Sequence, residues 1–398
     1  MLGECARSRI LVVVFAVSLG LLPEPARAFP WLIQHQYNTC SQCHVDPSGG
    51  SAMTDYGRAQ TEVLLRSTYG KPVEDPGKVK DFAFGALGLP EQIIAQADLR
   101  SLIIPRPGEV RPILMQADLR GGWQTERLIA YGSIGVVSEG AKAARVLSDE
   151  GRADELVTPV ARDYWVGYRP ARGVTVRAGR MNLPFGLRSD QHILYTRAIT
   201  RTSTNADQQL GLAGALETKA ARGEIMAVLG NLHVAPDSYR ERGYSAFAAW
   251  APSRRVEVGV SSLVLGSQTD VVSRRPTTRQ AHGVFARAAP IEQLGVLVET
   301  NLLVTGEGPS GSRANHTGLV LDAHANWEAV KGVYVKAGAE VCDTDFGSVG
   351  SAARGWGAVQ WFLAPHVDLR VDGLYGPLQC SADAESRPMI MGQIHAFL

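Results

Sequence analysis

From about residue 92 the chain alternates. In "QIIAQADLRSL" (Gln92–Leu102), Gln96, Asp98 and Arg100 share one face, while Ile93, Ala95, Ala97 and Leu99 share the other. "ILMQADLRGGW" repeats this with Gln116, Asp118 and Arg120 against Met115, Ala117 and Leu119. In "VYVKAGAEV", Lys336 and Glu340 oppose Val335, Ala337, Ala339 and Val341. "VDLRVDGLY" sets Asp368, Arg370 and Asp372 against Val367, Leu369, Val371 and Tyr375. A period of two is the mark of a strand. Sixteen such strands fit between residues 92 and 398. Most come near the ~10 residues that a tilted strand needs to cross a bilayer.

A soluble sandwich also alternates, so the connections have to choose. Tight turns at 170–173, 219–222, 253–255 and around Pro365 contrast with long polar segments at 139–157, 183–207, 267–278, 343–353 and 377–387. Short turns at one end, long loops at the other and an even strand count predict an all-β, 16-stranded outer-membrane β-barrel over 92–398. Both ends of the barrel then fall on the short-turn, periplasmic side. Charges on alternate positions cost about 2–4 kcal/mol for Arg or Lys facing lipid at the midplane. Asp98, Arg100, Asp118, Arg120, Arg177, Lys336, Glu340, Asp368, Arg370 and Asp372 are therefore expected to line the lumen.

The first residues differ. Arg7 and Arg9 precede the apolar run Ile10–Leu22, and Ala26-Arg27-Ala28 offers a small-x-small cleavage site. Residues 1–28 read as a secretory signal peptide, which takes Cys5 with it. Beyond it no run reaches the roughly 18 apolar residues of a membrane helix. With 40 Lys+Arg against 39 Asp+Glu, no nucleic-acid partner is expected. An exported chain meets an oxidising compartment. Cys342 and Cys380, placed on the long-loop side, are a disulfide candidate.

Cys40, Cys43 and His44 form C-x-x-C-H. Two thiols one turn apart can reach both vinyl groups of one porphyrin, and the adjacent imidazole can bind its iron. A thioredoxin-like motif lacks its βαβ surround, and a zinc site lacks a second ligand pair. The expected cofactor is one haem c, with His44 as proximal ligand and His35 or Met53 as distal ligand. Thr54 can cap a helix to about Ser67, with Tyr56, Ala59, Val63 and Leu64 as an apolar stripe. Residues 29–75 thus read as a small α-helical monohaem cytochrome c segment, and Pro76 and Gly77 open a linker over 76–91. So few residues cannot hold a substantial core alone. The barrel lumen offers the missing enclosure.

A leader, one C-x-x-C-H segment and a sixteen-stranded barrel resemble the fused monohaem cytochrome c–porin outer-membrane family, which includes outer-membrane iron oxidases. Cys40, Cys43, His44, Pro47 and Tyr56-Gly57-Arg58 carry the likeness, convincingly over Phe29–Gln60; "PSGGSAM" departs from it. The stretch Gly179–Ala213, with Pro184-Phe185-Gly186, is similar to phosphate-selective porins, which would make Arg188, Arg197 and Arg201 the basic lining of a constriction. The first resemblance implies an electron carrier in the outer membrane of a Gram-negative bacterium. It would link an extracellular metal ion such as Fe(II), or a mineral, to a periplasmic cytochrome, with or without metal oxidase or reductase activity. The alternative is a solute or anion porin whose haem segment acts as plug, gate or redox sensor.

Overall fold

The computed structural model describes residues 33–34, 39–65, 87–106, 108–138, 157–191, 193–309, 311–347 and 350–398. The expected leader, His35 and most of the 76–91 linker lie outside the described residues. The strands are β1 (Ile93–Arg106), β2 (Glu109–Gln124), β3 (Leu128–Ser138), β4 (Val157–Val160), β5 (Tyr164–Ala171), β6 (Val174–Met181), β7 (Gln209–Glu217), β8 (Ala221–Gly230) and β9 (Arg242–Ser253). They continue as β10 (Val256–Ser267), β11 (Thr277–Ile291), β12 (Leu294–Glu307), β13 (Ala314–Val330), β14 (Val333–Asp343), β15 (Ala352–Ala364), β16 (Val367–Gly376) and β17 (Arg387–Phe397). Two helices are described, α1 (Asp55–Leu64) and α2 (Tyr195–Ile199).

Neighbouring strands are antiparallel, and β1 pairs with both β2 and β17, which closes the sheet. β3 pairs with β4 at one end and β5 at the other, so these two are halves of one stave. The barrel therefore has sixteen staves. The break has a local cause. Arg162 and Asp163 are consecutive yet only 3% and 2% exposed, so both turn inward where strict alternation would send one outward. Such an irregularity is a bulge. Arg162 Nε then lies 2.7 Å from Asp118 Oδ2.

The alternation sorts side chains as the sequence predicts. Val260, Ile225, Val284, Leu302, Val359 and Val371 face outward and are exposed. Asp98, Asp118, Arg177, Lys336, Glu340, Asp368, Arg370 and Asp372 are buried inside. Exposed Trp123, Tyr168, Trp250 and Trp327 ring the short-turn end, and Tyr244, Phe346 and Tyr375 stand at the other. Aromatic girdles of this kind flank the apolar band of membrane barrels. At the tight turn before β6, a Cβ on Gly173 (φ +77°) would lie 2.1 Å from Glu217 O, so only glycine fits.

Residues 182–208, between β6 and β7, fold into the barrel instead of over its mouth. Their contacts cross the lumen. Leu187 N donates to Glu299 Oε2 at 2.8 Å, Tyr195 N to Glu340 Oε1 at 2.5 Å, and Gln191 Nε2 to Asp372 Oδ1 at 3.0 Å. Cys342 and Cys380 are joined by a disulfide, Cα–Cα 5.9 Å, tying the end of β14 to the last long connection.

Replacing Val260 by Arg is expected to cost about 2–4 kcal/mol of stability in lipid vesicles, read by urea unfolding. No loss would remove the lipid-facing assignment. Removing the disulfide with C342S/C380S should cost about 2–4 kcal/mol, and mass analysis of the unreduced wild type should find no thiol at either position.

Candidate functional site: a luminal cavity edged by the C-x-x-C-H turn

Residues 39–65 lie within the lumen. His44 N donates to Cys40 O at 2.9 Å and Cys43 N to the same oxygen at 3.2 Å. That single turn sets both thiols and the imidazole on one short arc. A narrow hairpin follows, with His44 bridged to Met53 and Val45 N donating to Ala52 O at 2.9 Å. Thr54 then caps α1 by accepting from Gly57 N at 3.0 Å.

The helix buries the expected stripe in part: Ala59 and Leu64 are half-buried, and the Val63 side chain lies outside the described residues. Tyr56 is 49% exposed, whereas Gly57, Arg58, Thr61 and Leu65 are buried. The reason is close approach. A Cβ on Gly57 would sit 2.3 Å from Cys43 O, so the glycine face must turn to the C-x-x-C-H backbone. The Tyr56-Gly57-Arg58 stretch thus has a packing role. Arg58 Nη2 reaches Ala95 O on β1 at 2.7 Å.

The wall holds this segment by specific groups. Cys40 N donates to Glu217 Oε1 at 3.0 Å, Ala52 N to Tyr131 Oη at 3.1 Å and Met53 N to Gln96 Oε1 at 2.7 Å. Tyr334 Oη donates to Leu64 O at 3.2 Å. Arg177, 1% exposed, lies 2.8 Å from Asp46 and also pairs with Glu224. From the other side Arg188 donates to Ser48 O and Oγ, each at 3.0 Å.

Between these residues and the 182–208 segment lies a cavity of about 270 Å³. Cys40, Cys43, His44, Met53, Arg188 and His395 all border it. Both thiols are free and half-buried, exposed to this cavity. Burial raises the Cys40 thiol, and burial helped by Cys40 pushes Cys43 up to about 12. Burial lowers His44, partly offset by Asp46, which favours the neutral imidazole that can bind a metal. His44 Nδ1 is buried without a hydrogen-bond partner. Two free thiols and a neutral imidazole on one turn, edging one luminal cavity, fit a covalently held haem.

The three basic residues expected at a constriction separate. Arg197 pairs with Glu299, and Arg201 Nη2 binds Asp270 Oδ1 at 3.0 Å. Arg188 alone of the three borders the cavity. Its acceptors are the neutral Ser48 O, Ser48 Oγ and Leu183 O. Met53 stands directly opposite His44 in the hairpin. His395, on the inward face of β17, was not singled out from the sequence. Its parity with Met391, Gln393 and Phe397 on the last strand was the available signal.

No family model matches the sequence, and no curated protein matches it. Solved structures do. OmpT of Vibrio cholerae with its loop L8 deleted aligns with a TM-score of 0.59 at 10% identity, covering 77% of this chain and 99% of that one. The outer-membrane channel DcaP of Acinetobacter baumannii aligns at 0.55 and 10%, covering 77% and 96%. An anion-selective porin from Comamonas acidovorans aligns at 0.53 and 11%, covering 77% and 99%. The chain has the fold of an outer-membrane porin. At such identities the likeness concerns the barrel alone, and it says nothing of a cytochrome segment.

Asp46→Asn should loosen the lumen segment. Weakening one partner of a buried ion pair costs up to about 3–5 kcal/mol. The expected readout is higher single-channel conductance in planar bilayers, with Arg177 still held by Glu224. Unchanged conductance would show that this pair does not hold the plug.

Proposed function

We propose that the protein is an outer-membrane barrel of a Gram-negative cell that carries one haem c in its lumen. It passes electrons between an extracellular donor or acceptor, such as Fe(II), another metal ion or a mineral, and a periplasmic carrier. One observation carries this reading: the C-x-x-C-H turn edges a partly open cavity in the lumen, bordered by the barrel wall and its two inward segments. When bound, the haem supplies a one-electron centre. The chain does the rest. Cys40 and Cys43 would hold the ring by thioether bonds, and His44 would offer its neutral imidazole to the iron. Among the described residues Arg188 donates to neutral acceptors, Ser48 O, Ser48 Oγ and Leu183 O, so its cation suits a propionate. The side chains of the barrel wall around the cavity set the environment that tunes the potential. Placement matters because the hydrocarbon layer is about 30 Å thick and insulating. A redox centre hung below it shortens nothing; one seated within it does.

A second reading is favoured by the fold neighbours, which are porins and channels, one of them named as anion-selective. In it the lumen passes anions, and residues 39–65 serve as plug, gate or redox sensor. Among the described residues six arginines border the cavity, Arg188 one of them, together with Asp98, Asp163, Asp190 and Asp368, and Arg120, Arg162, Arg222 and Arg287 are paired with carboxylates.

Purified holoprotein in liposomes separates the two. The conduit is expected to reduce a trapped acceptor from an outside donor while a small trapped anion stays inside. Free leakage of the anion with no reduction of the acceptor would overturn the conduit in favour of the porin.

A further inference from the structure

We infer that His395, on the last barrel strand, is the second axial ligand of the haem; this rests on the haem reading above. Haem iron takes its protein ligands from His, Met, Cys or Tyr. Apart from the two thiols of the motif, the side chains of these types bordering the cavity among the described residues are His44, Met53 and His395.

Met53 is poorly placed to face His44 across a ring. The two form a directly opposed antiparallel pair. Such pairs have Cα atoms roughly 4.5–5.5 Å apart and send their side chains to the same side. Axial ligands must approach iron from opposite faces of a flat macrocycle, and neighbours on one side of a hairpin cannot straddle it.

His395 comes from another level of the wall. Met53 N is bonded to Gln96 Oε1 at 2.7 Å, which sets the His44–Met53 rung at Gln96. His395 is paired with Arg100, four residues further along the same strand. At the rise of a β-strand that is roughly 13 Å. Asp98 lies between these levels, 3.9 Å from His395 Nε2, and its charge is also felt by His44.

The ring is oriented as a metal ligand would be. His395 Nδ1 lies 3.1 Å from Asp368 Oδ2, and Asp368 is 1% exposed. Phe397 stacks on the ring at 4.9 Å and 29°. A carboxylate at Nδ1 is the usual support for a ligating histidine, because it favours the tautomer whose Nε2 lone pair can bind. Arg100 Nη2 lies 3.1 Å from that Nε2 and Asp98 Oδ1 3.9 Å from it. Iron would take the place of these contacts.

The test uses the full-length holoprotein and its ferric spectra. The wild type is expected to be low-spin, without the far-red sulfur-to-iron band that a Met ligand gives. His395→Gln should turn the iron high-spin, and added imidazole should restore the low-spin signal. The heat-dependent gel shift of a folded barrel checks that the variant has folded. Met53→Leu should leave the spectrum unchanged. If His395→Gln stays low-spin while Met53→Leu or His35→Gln turns high-spin, the inference is overturned and the haem reading stands. If the peptide containing Cys40 and Cys43 shows no added porphyrin mass in the wild type, the haem reading fails, and this inference with it.

Discussion

Charge inside a closed barrel must find a partner. Closing the sheet sends every second side chain into a space shared with protein instead of bulk water, where an unpaired ion is costly. Almost all of the internal arrangement follows from this. Arg120 meets Asp98 at 2.6 Å, Arg354 meets Glu340 at 2.6 Å, and Arg370 meets Asp372 at 2.7 Å. Where the wall leaves acceptors over, the inward segments use them. Glu299 takes Arg197 and the Leu187 amide, and Glu217 takes the Cys40 amide. The lumen charges thus act as fasteners for chain that would otherwise have no core.

The same logic makes a small luminal segment workable. Residues 39–65 contain one ten-residue helix and a narrow hairpin. Alone they bury little. Within the lumen their backbone groups are met by Gln96, Tyr131, Glu217 and Tyr334. The barrel is at once the membrane-crossing element and the second half of the site. The 182–208 segment completes the enclosure from above, with Arg188 touching Ser48 of the lower segment.

Much of this was legible in the sequence because a strand writes its two faces in alternate letters. Sixteen staves, their approximate ends and the inward charges all come from that period. The C-x-x-C-H motif was legible because its spacing is local. What was misread has the same root. Tyr56, placed on the apolar stripe of α1, is exposed, because close contact between Gly57 and Cys43 O sets how the helix is turned. The bulge at Arg162 and Asp163 breaks the period over two residues, too briefly for a pattern to show.

The sequence by itself determined the barrel, its lipid-facing and lumen-facing sides and the C-x-x-C-H motif. These depend on neighbours one to four positions away, a range over which chain geometry is rigid. Only the tertiary structure decided that the 182–208 segment turns inward, that Arg197 and Arg201 are tied up by carboxylates, and that His395 shares a cavity with His44 across 351 positions of chain. Such meetings arise when sixteen staves close on themselves. Closure brings β17 beside β1, and no local pattern records who will stand across the lumen.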